Sequence, residues 1–194
     1  MMGLQQPIPA LQRFVSKLEA IVQSSREDDP SFMTDLGQAM RELVAKDDWL
    51  PESVAVPHPQ FYQQYSLYVD PQERFSVVSF VWGPGQQTPI HDHTVWGVIG
   101  QLRGAEVSQA YRVDSKHPPQ PYGDPGRLEP GDVAFVSPRI GDVHKVANAY
   151  QDRVSISIHA YGANIGKVNR HVFPPEGGPA KSFVSGYSAP VESV

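Results

Sequence analysis

Between Ala10 and Ser24 the apolar residues Leu11, Phe14, Val15, Leu18, Ile21 and Val22 recur at steps of three and four. That spacing gathers them on one face of a helix, and such a face needs a surface to cover. Asp29-Pro30 reads as an N-cap followed by proline at the first helical position, and Phe32, Leu36, Met40, Leu43 and Val44 continue a second helical stripe. Asp48-Trp49-Leu50-Pro51 ends it, because proline disfavours helix at the residue before it.

From about Phe61 the period changes to two. Short apolar runs at 62–69, 74–82, 96–103, 105–113, 132–136, 144–148 and 154–161 are separated by Gly, Pro and Asp clusters and predict strands. Asp70-Pro71, Trp82-Gly83-Pro84-Gly85, Asp124-Pro125-Gly126 and Glu129-Pro130-Gly131 carry the residues of sharp reversals. Strands at this spacing with no helix between them predict a sandwich or small barrel rather than a parallel sheet. The last stretch, 174–194, is rich in Pro, Gly and Ser and is expected to wrap the surface or fray.

A chain of 194 residues reads as one domain, 1–194, with a helical region over about 8–50, a β region over about 60–173 and the C-terminal extension. The 19 Pro and 16 Gly fit a turn-rich, mainly β chain. A net charge of -5 and the lack of a basic cluster argue against nucleic acid or an anionic membrane as partner. No apolar run approaches a membrane span, and the N-terminus lacks the layout of a secretory signal, so the expected location is the cytoplasm. Nothing in the sequence sets an oligomeric state. There is no cysteine, which excludes disulfides and thiolate metal sites; a metal must be held by His, Asp or Glu.

His91-Asp92-His93 is the strongest chemical signal. On an extended chain residues two apart share a face, so both imidazoles can reach one ion while Asp92 points away. His144 lies in another predicted strand, which a closed barrel can bring alongside. His58 and His117, among prolines, and His171, in a polar stretch, are expected to be structural or solvent-exposed. The run from Val154 to Tyr161 alternates without a break, with Val154, Ile156, Ile158 and Ala160 on one face and Ser155, Ser157, His159 and Tyr161 on the other. That polar face either meets water or lines a cavity, where Ser157, His159 and Tyr161 would form a hydrogen-bonded row orienting the Tyr161 hydroxyl. Phe80, Trp96, Val98 and Phe135 read as barrel packing, some of them as the apolar wall of the cavity.

These residues resemble the motifs of the cupin superfamily. Gly85, His91, His93 and Gly104 match its first motif, with Gly97 where a glutamate ligand should stand; Gly131, Pro138, Gly141, His144 and Asn148 resemble its second. The missing acid narrows the likeness to the thiol dioxygenases of the cysteine dioxygenase family. Residues 74–82, 89–97 and 157–161 are similar to that family, and its Ser-His-Tyr row maps onto Ser157, His159 and Tyr161. The position of the crosslinking cysteine of the animal enzymes is Gly97, so no crosslink forms. The carboxylate-binding arginine is replaced by Gln64, as in bacterial enzymes that prefer 3-mercaptopropionate, and their other arginine corresponds to Arg170.

The resemblance implies a mainly β, cupin-type barrel (jelly roll) with the N-terminal helices packed outside. It implies Fe(II) held by His91, His93 and His144, a catalytic row of Tyr161, His159 and Ser157, and substrate recognition by Arg170 and Gln64. Three neutral imidazoles leave a divalent ion its full charge, which the thiolate and carboxylate of one small mercapto acid can offset. Oxidation by O2 to the sulfinic acid follows as the expected reaction. Cysteine or mercaptosuccinate as substrate, an isomerase or carbon oxygenase on the same scaffold, and a non-enzymatic binding cupin are the alternatives.

Overall fold

The computed structural model describes residues 7–190. Helix α1 spans Pro9–Ser24 and buries Leu11, Phe14, Val15 and Leu18, the expected stripe. Helix α2 spans Phe32–Val44 and buries Phe32, Leu36, Met40, Leu43 and Val44, together with Gly37 and Ala39. It starts two residues after Pro30, which is a correction to the predicted cap. The Asp29 carboxylate accepts from the Arg26 amide (2.5 Å), so Asp29 and Pro30 belong to the preceding turn and Ser31 stands at the N-cap.

Eleven strands follow in the described residues: β1 Gln63–Val69, β2 Ser76–Trp82, β3 Ile90–His91, β4 Gly97–Arg103, β5 Glu106–Arg112, β6 Gln120–Leu128, β7 Val133–Val136, β8 His144–Asn148, β9 Ser155–Tyr161, β10 Arg170–Phe173 and β11 Lys181–Phe183. They make one sheet of order β1-β2-β9-β4-β7 and a second of order β11-β10-β3-β8-β5-β6, and every named strand pairing is antiparallel. This is the mainly β, cupin-type barrel with its helices outside.

Four strands lie outside the predicted runs. β3 and β10 are too short to show a period, and β11 sits in the extension expected to wrap or fray. β6 contains Asp124-Pro125-Gly126, which is a correction: those residues do not reverse the chain. Between the pairs Ser108↔Gly126 and Ala110↔Tyr122 residues 123–125 form a bulge, with Gly123 at φ 68. β6 is a sheet edge, where prolines cost no ladder bond.

The first sheet has two buried faces. Its outer face, with Val77, Val81, Val98, Leu102, Ile156, Ile158 and Ala160, packs with the helices into one apolar cluster. Gly100 lets α2 approach, since a Cβ there would stand 2.6 Å from Met40 and 2.8 Å from Val44. Burying each large aliphatic side chain contributes about 1.5–3 kcal/mol, so α2 is held by packing more than by helix propensity. Trp96 meets Phe32 edge-on (5.5 Å) and Phe135 touches Gly37, so both face the helices with Val98. Phe80 turns inward, with Val78, Trp82, Ile99 and Tyr161. The β9 face carrying Ser155, Ser157, His159 and Tyr161 is therefore inside the barrel, fully buried, and the alternative of a water-facing strand does not hold.

Candidate metal centre

β3 and β8 pair in a register that sets His91 opposite His144, and His93 follows just beyond β3. The three rings form a nearly equilateral set, with centroids 4.8, 4.9 and 4.8 Å apart. One ligand nitrogen from each lies within 4.8 Å of the others, a spacing that one ion can bridge.

The second nitrogen of each ring is already engaged. His91 Nδ1 donates to the Pro89 carbonyl (3.0 Å), His93 Nδ1 meets the Asp142 carboxylate (3.1 Å), and His144 Nδ1 meets the Ser108 hydroxyl (3.0 Å). Each ring therefore presents Nε2 inward, with its orientation locked from behind. Burial, followed by the neighbouring His93, pushes the His91 pKa down to about 3, and burial with both other rings lowers His144 well below its ordinary value. Both imidazoles are neutral, the form that ligates a metal.

Asp142 does more than orient one ring. Its Oδ2 also accepts from the backbone amides of His93 (3.1 Å) and Thr94 (2.9 Å). Thr94 has φ 61, a conformation that costs a β-branched residue about 1–3 kcal/mol. The carboxylate thus stabilises the strained turn that carries His93 into place. Burial works to raise the Asp142 pKa, but its bonds with His93 and Thr94 outweigh this and leave it below the ordinary range.

Beside the rings, Tyr161 stacks on His93 at 5.5 Å. Its hydroxyl lies 2.8 Å from His159 Nδ1, and His159 Nε2 lies 2.7 Å from Ser157 Oγ. Burial raises the Tyr161 pKa and lowers that of His159 well below its usual value, so both are neutral. Gly97 explains the absence of a fourth protein ligand from the first motif. A Cβ there would stand 2.8 Å from the Tyr161 ring and 2.9 Å from Val136, so the tyrosine occupies the space of any side chain at that position.

A cavity of about 530 Å³ opens onto His91, with Tyr62, Gln64, Phe80, Arg170, Phe183 and Tyr187 in its wall. Arg170 is buried, donates from Nη2 to Ser185 Oγ (2.6 Å), lies over the Phe183 ring (4.7 Å), and keeps Nε without a partner among the described residues. Burial lowers its pKa below the ordinary arginine value. Gln64 Nε2 donates to Ser185 Oγ (3.2 Å) and the Gly186 carbonyl (3.1 Å).

All eight residues singled out from the sequence thus lie in or around one barrel interior. Of the other histidines, His171 is structural, pairing with Asp92 through its backbone amide and Nδ1 (2.7 and 2.8 Å). His58 stacks on Phe61 and His117 bonds with Asp114, away from the rings. Sequence reasoning missed Asp142, Ser108, Tyr62 and the wall at 183–187. A carboxylate two residues before His144 was a readable signal; the wall had none, because the extension shows no period.

The model of the family named cysteine dioxygenase type I matches residues 62–172. The chain belongs to the cysteine dioxygenase type I family. For a cysteine dioxygenase family member, the matched span contains the three histidines, the Ser157, His159, Tyr161 row, Gln64 and Arg170, and leaves out the helices and the 183–187 wall. Membership and the histidine cluster together fit a metal-dependent thiol dioxygenase. Among solved structures, the chain is similar to an uncharacterized conserved protein with a double-stranded β-helix domain from Klebsiella pneumoniae subsp. pneumoniae, at 18% identity over 58% of this chain and 87% of that one, TM-score 0.46. It is also similar to a cupin superfamily protein from Desulfitobacterium hafniense, at 13% identity over 61% and 94% of the two chains, TM-score 0.45.

Proposed function

We propose that this protein oxidises a small mercapto acid, 3-mercaptopropionate in the first place, to its sulfinic acid with O2, using Fe(II) held by His91, His93 and His144. The observation that carries this reading is the tripod of histidine nitrogens, with no carboxylate in the ligand group among the described residues, opening onto a cavity with Arg170 in its wall. The donor set suits a divalent metal bound by neutral nitrogens. A bound Fe(II) supplies the redox step that places both oxygen atoms on sulfur.

The protein's own part is positioning. The Arg170 guanidinium, in the cavity wall, is suited to a substrate carboxylate, and Ser185 fixes it so that little freedom is lost on binding. Gln64 acts on the same wall, tying β1 to the segment around Ser185. Phe80, packed on His159 at 4.4 Å, keeps the row dry. Tyr161, neutral and held by His159, donates a hydrogen bond toward the substrate. No Asp or Glu side chain lines the cavity among the described residues, so an α-ammonium would find no counter-charge there; this favours 3-mercaptopropionate over cysteine.

Oxygen uptake and product analysis on Fe(II)-loaded protein test the proposal, with 3-mercaptopropionate, cysteine and mercaptosuccinate compared side by side. Sulfinate formed one for one with O2, most efficiently from 3-mercaptopropionate, is expected. Preference for cysteine would make it a cysteine dioxygenase proper. Neither uptake nor sulfinate with any of the three would leave a non-enzymatic binding protein.

A further inference from the structure

Glu106 on β5 is a glutamate inside the barrel, 2% exposed. It faces Asn148 on β8 and Leu128 on β6 in register. Its carboxyl forms no side-chain hydrogen bond among the described residues, Oε1 is sealed without a partner, and the polar groups acting on it are the Ser157 hydroxyl and the Trp82 indole, which are joined to each other (3.2 Å). Gln101 on β4, opposite Ser157, keeps a second buried acceptor, Oε1, without a partner. An orphan carboxylate oxygen inside a closed barrel is costly unless the carboxyl carries a proton. No Lys or Arg is among the groups acting on the carboxyl, and burial pushes its pKa up to about 7 against the smaller lowering by Ser157 and Trp82. The titratable groups along the adjoining β9 are His159 and Tyr161; β2 and β4 contribute only the non-titratable Trp82 and Gln101.

We propose that Glu106 is the inner terminus of a relay, Glu106 to Ser157 to His159 to Tyr161, and that its protonation selects the tautomer of His159 and hence whether Tyr161 donates toward the metal centre. With Glu106 neutral, its O–H donates to Ser157 Oγ, the serine O–H donates to His159 Nε2, and His159 Nδ1–H donates to the Tyr161 oxygen. The phenolic proton then points away from the row. With Glu106 ionised, Ser157 turns its O–H to the carboxylate, His159 carries its proton on Nε2, and Nδ1 accepts the phenolic proton. One proton passed along the row connects the two states: Glu106 loses one, each intermediate group gives one and receives one, and a basic atom bound beside Tyr161 gains one. Glu106 is a positioning residue, acting through Ser157. The consequence for turnover rests on the thiol dioxygenase reading, whereas the relay is a property of this chain alone.

The test therefore needs no thiol and no O2. In protein loaded with Zn(II), as a diamagnetic and redox-silent stand-in, ¹⁵N NMR reads the His159 tautomer and infrared spectroscopy reads the protonated carboxyl, over about one and a half pH units on either side of 7. The expected result is a change from Nδ1–H to Nε2–H as pH rises, in step with loss of the carboxyl band. Glu106→Gln, whose amide donates as the neutral acid does, should hold Nδ1–H throughout. Ser157→Ala should keep the carboxyl band while freeing the tautomer from pH, which decides the matter even if the Glu106 variant folds poorly. In the iron protein the kcat profile should fall about tenfold per pH unit above this transition in the wild type and stay flat in Glu106→Gln, with KM unchanged. A pH-independent His159 tautomer in the wild type, or a pH-dependent one surviving in either variant, overturns the relay. Zn(II) uptake, measured in the same samples, reports separately on the metal centre.

Discussion

Tyr161 and Asp142 act on the same three rings in different ways, and substitution separates them. Tyr161→Phe removes one buried hydroxyl and its bond to His159; the metal should remain bound while kcat falls about 10–100-fold, the worth of a hydrogen bond to a charged partner. Steady-state kinetics beside a metal assay checks this, and unchanged kinetics would take the hydroxyl out of the reaction. Asp142→Ala removes the acceptor behind His93 and Thr94, so metal affinity should drop about 10–100-fold, read by metal titration. Glu106 has a stability signature of its own. Its folded pKa stands above the ordinary 4.5, at about 7, so its contribution is fully present below pH 4.5 and is lost as pH rises through 7. Relative to Glu106→Gln, the wild type should therefore lose about 3 kcal/mol between those limits, measured by urea denaturation across pH. At this scale the sequence was informative where residues of one site sit close together, as in His91 and His93 or Ser157 to Tyr161. Asp142 shows in the sequence as a carboxylate two residues before His144, but its place behind His93, like the place of Glu106 inside the barrel, could not be read, because a carboxylate's role depends on which strand it faces.

Among the elements, β9 is the one whose pattern and structure agree most fully, and it is also the one whose meaning needed a partner. Strict alternation sorted its side chains into two faces. Only the second sheet, closing over the polar face, turns Ser157, His159 and Tyr161 into an interior row rather than a wetted surface. β4 passes Tyr161 at Gly97, and Gly97→Ala should cost about 1–3 kcal/mol of stability, seen in thermal melts, together with lower kcat as the ring is displaced. A variant as stable and active as wild type would show that the space is not needed. β6 illustrates the opposite failure. Turn residues mark where the backbone bends, and a bulge in an edge strand uses the same residues as a reversal.

For the whole molecule, the site is complete only when the C-terminal segment returns. β11 pairs with β10, Ser188 bonds the backbone of β1, and Ser185 and Gly186 hold Arg170 and Gln64. Deleting residues 180–194 should leave the β-sheet circular dichroism and metal stoichiometry intact while raising KM about tenfold or more, since the arginine loses its fixed partner. Lost metal binding in that variant would instead place the extension in the support of the tripod. The sequence by itself determined the helices, the main strands and the histidine pair, because these follow from local periods of 3.6 and 2 that neighbouring residues enforce. Which face of β9 is inside, which carboxylates stand behind the rings and what closes the cavity were decided by tertiary structure. Those depend on pairings between residues far apart in the chain, such as His91 with His144 and Gln64 with Ser185, and no local pattern encodes them.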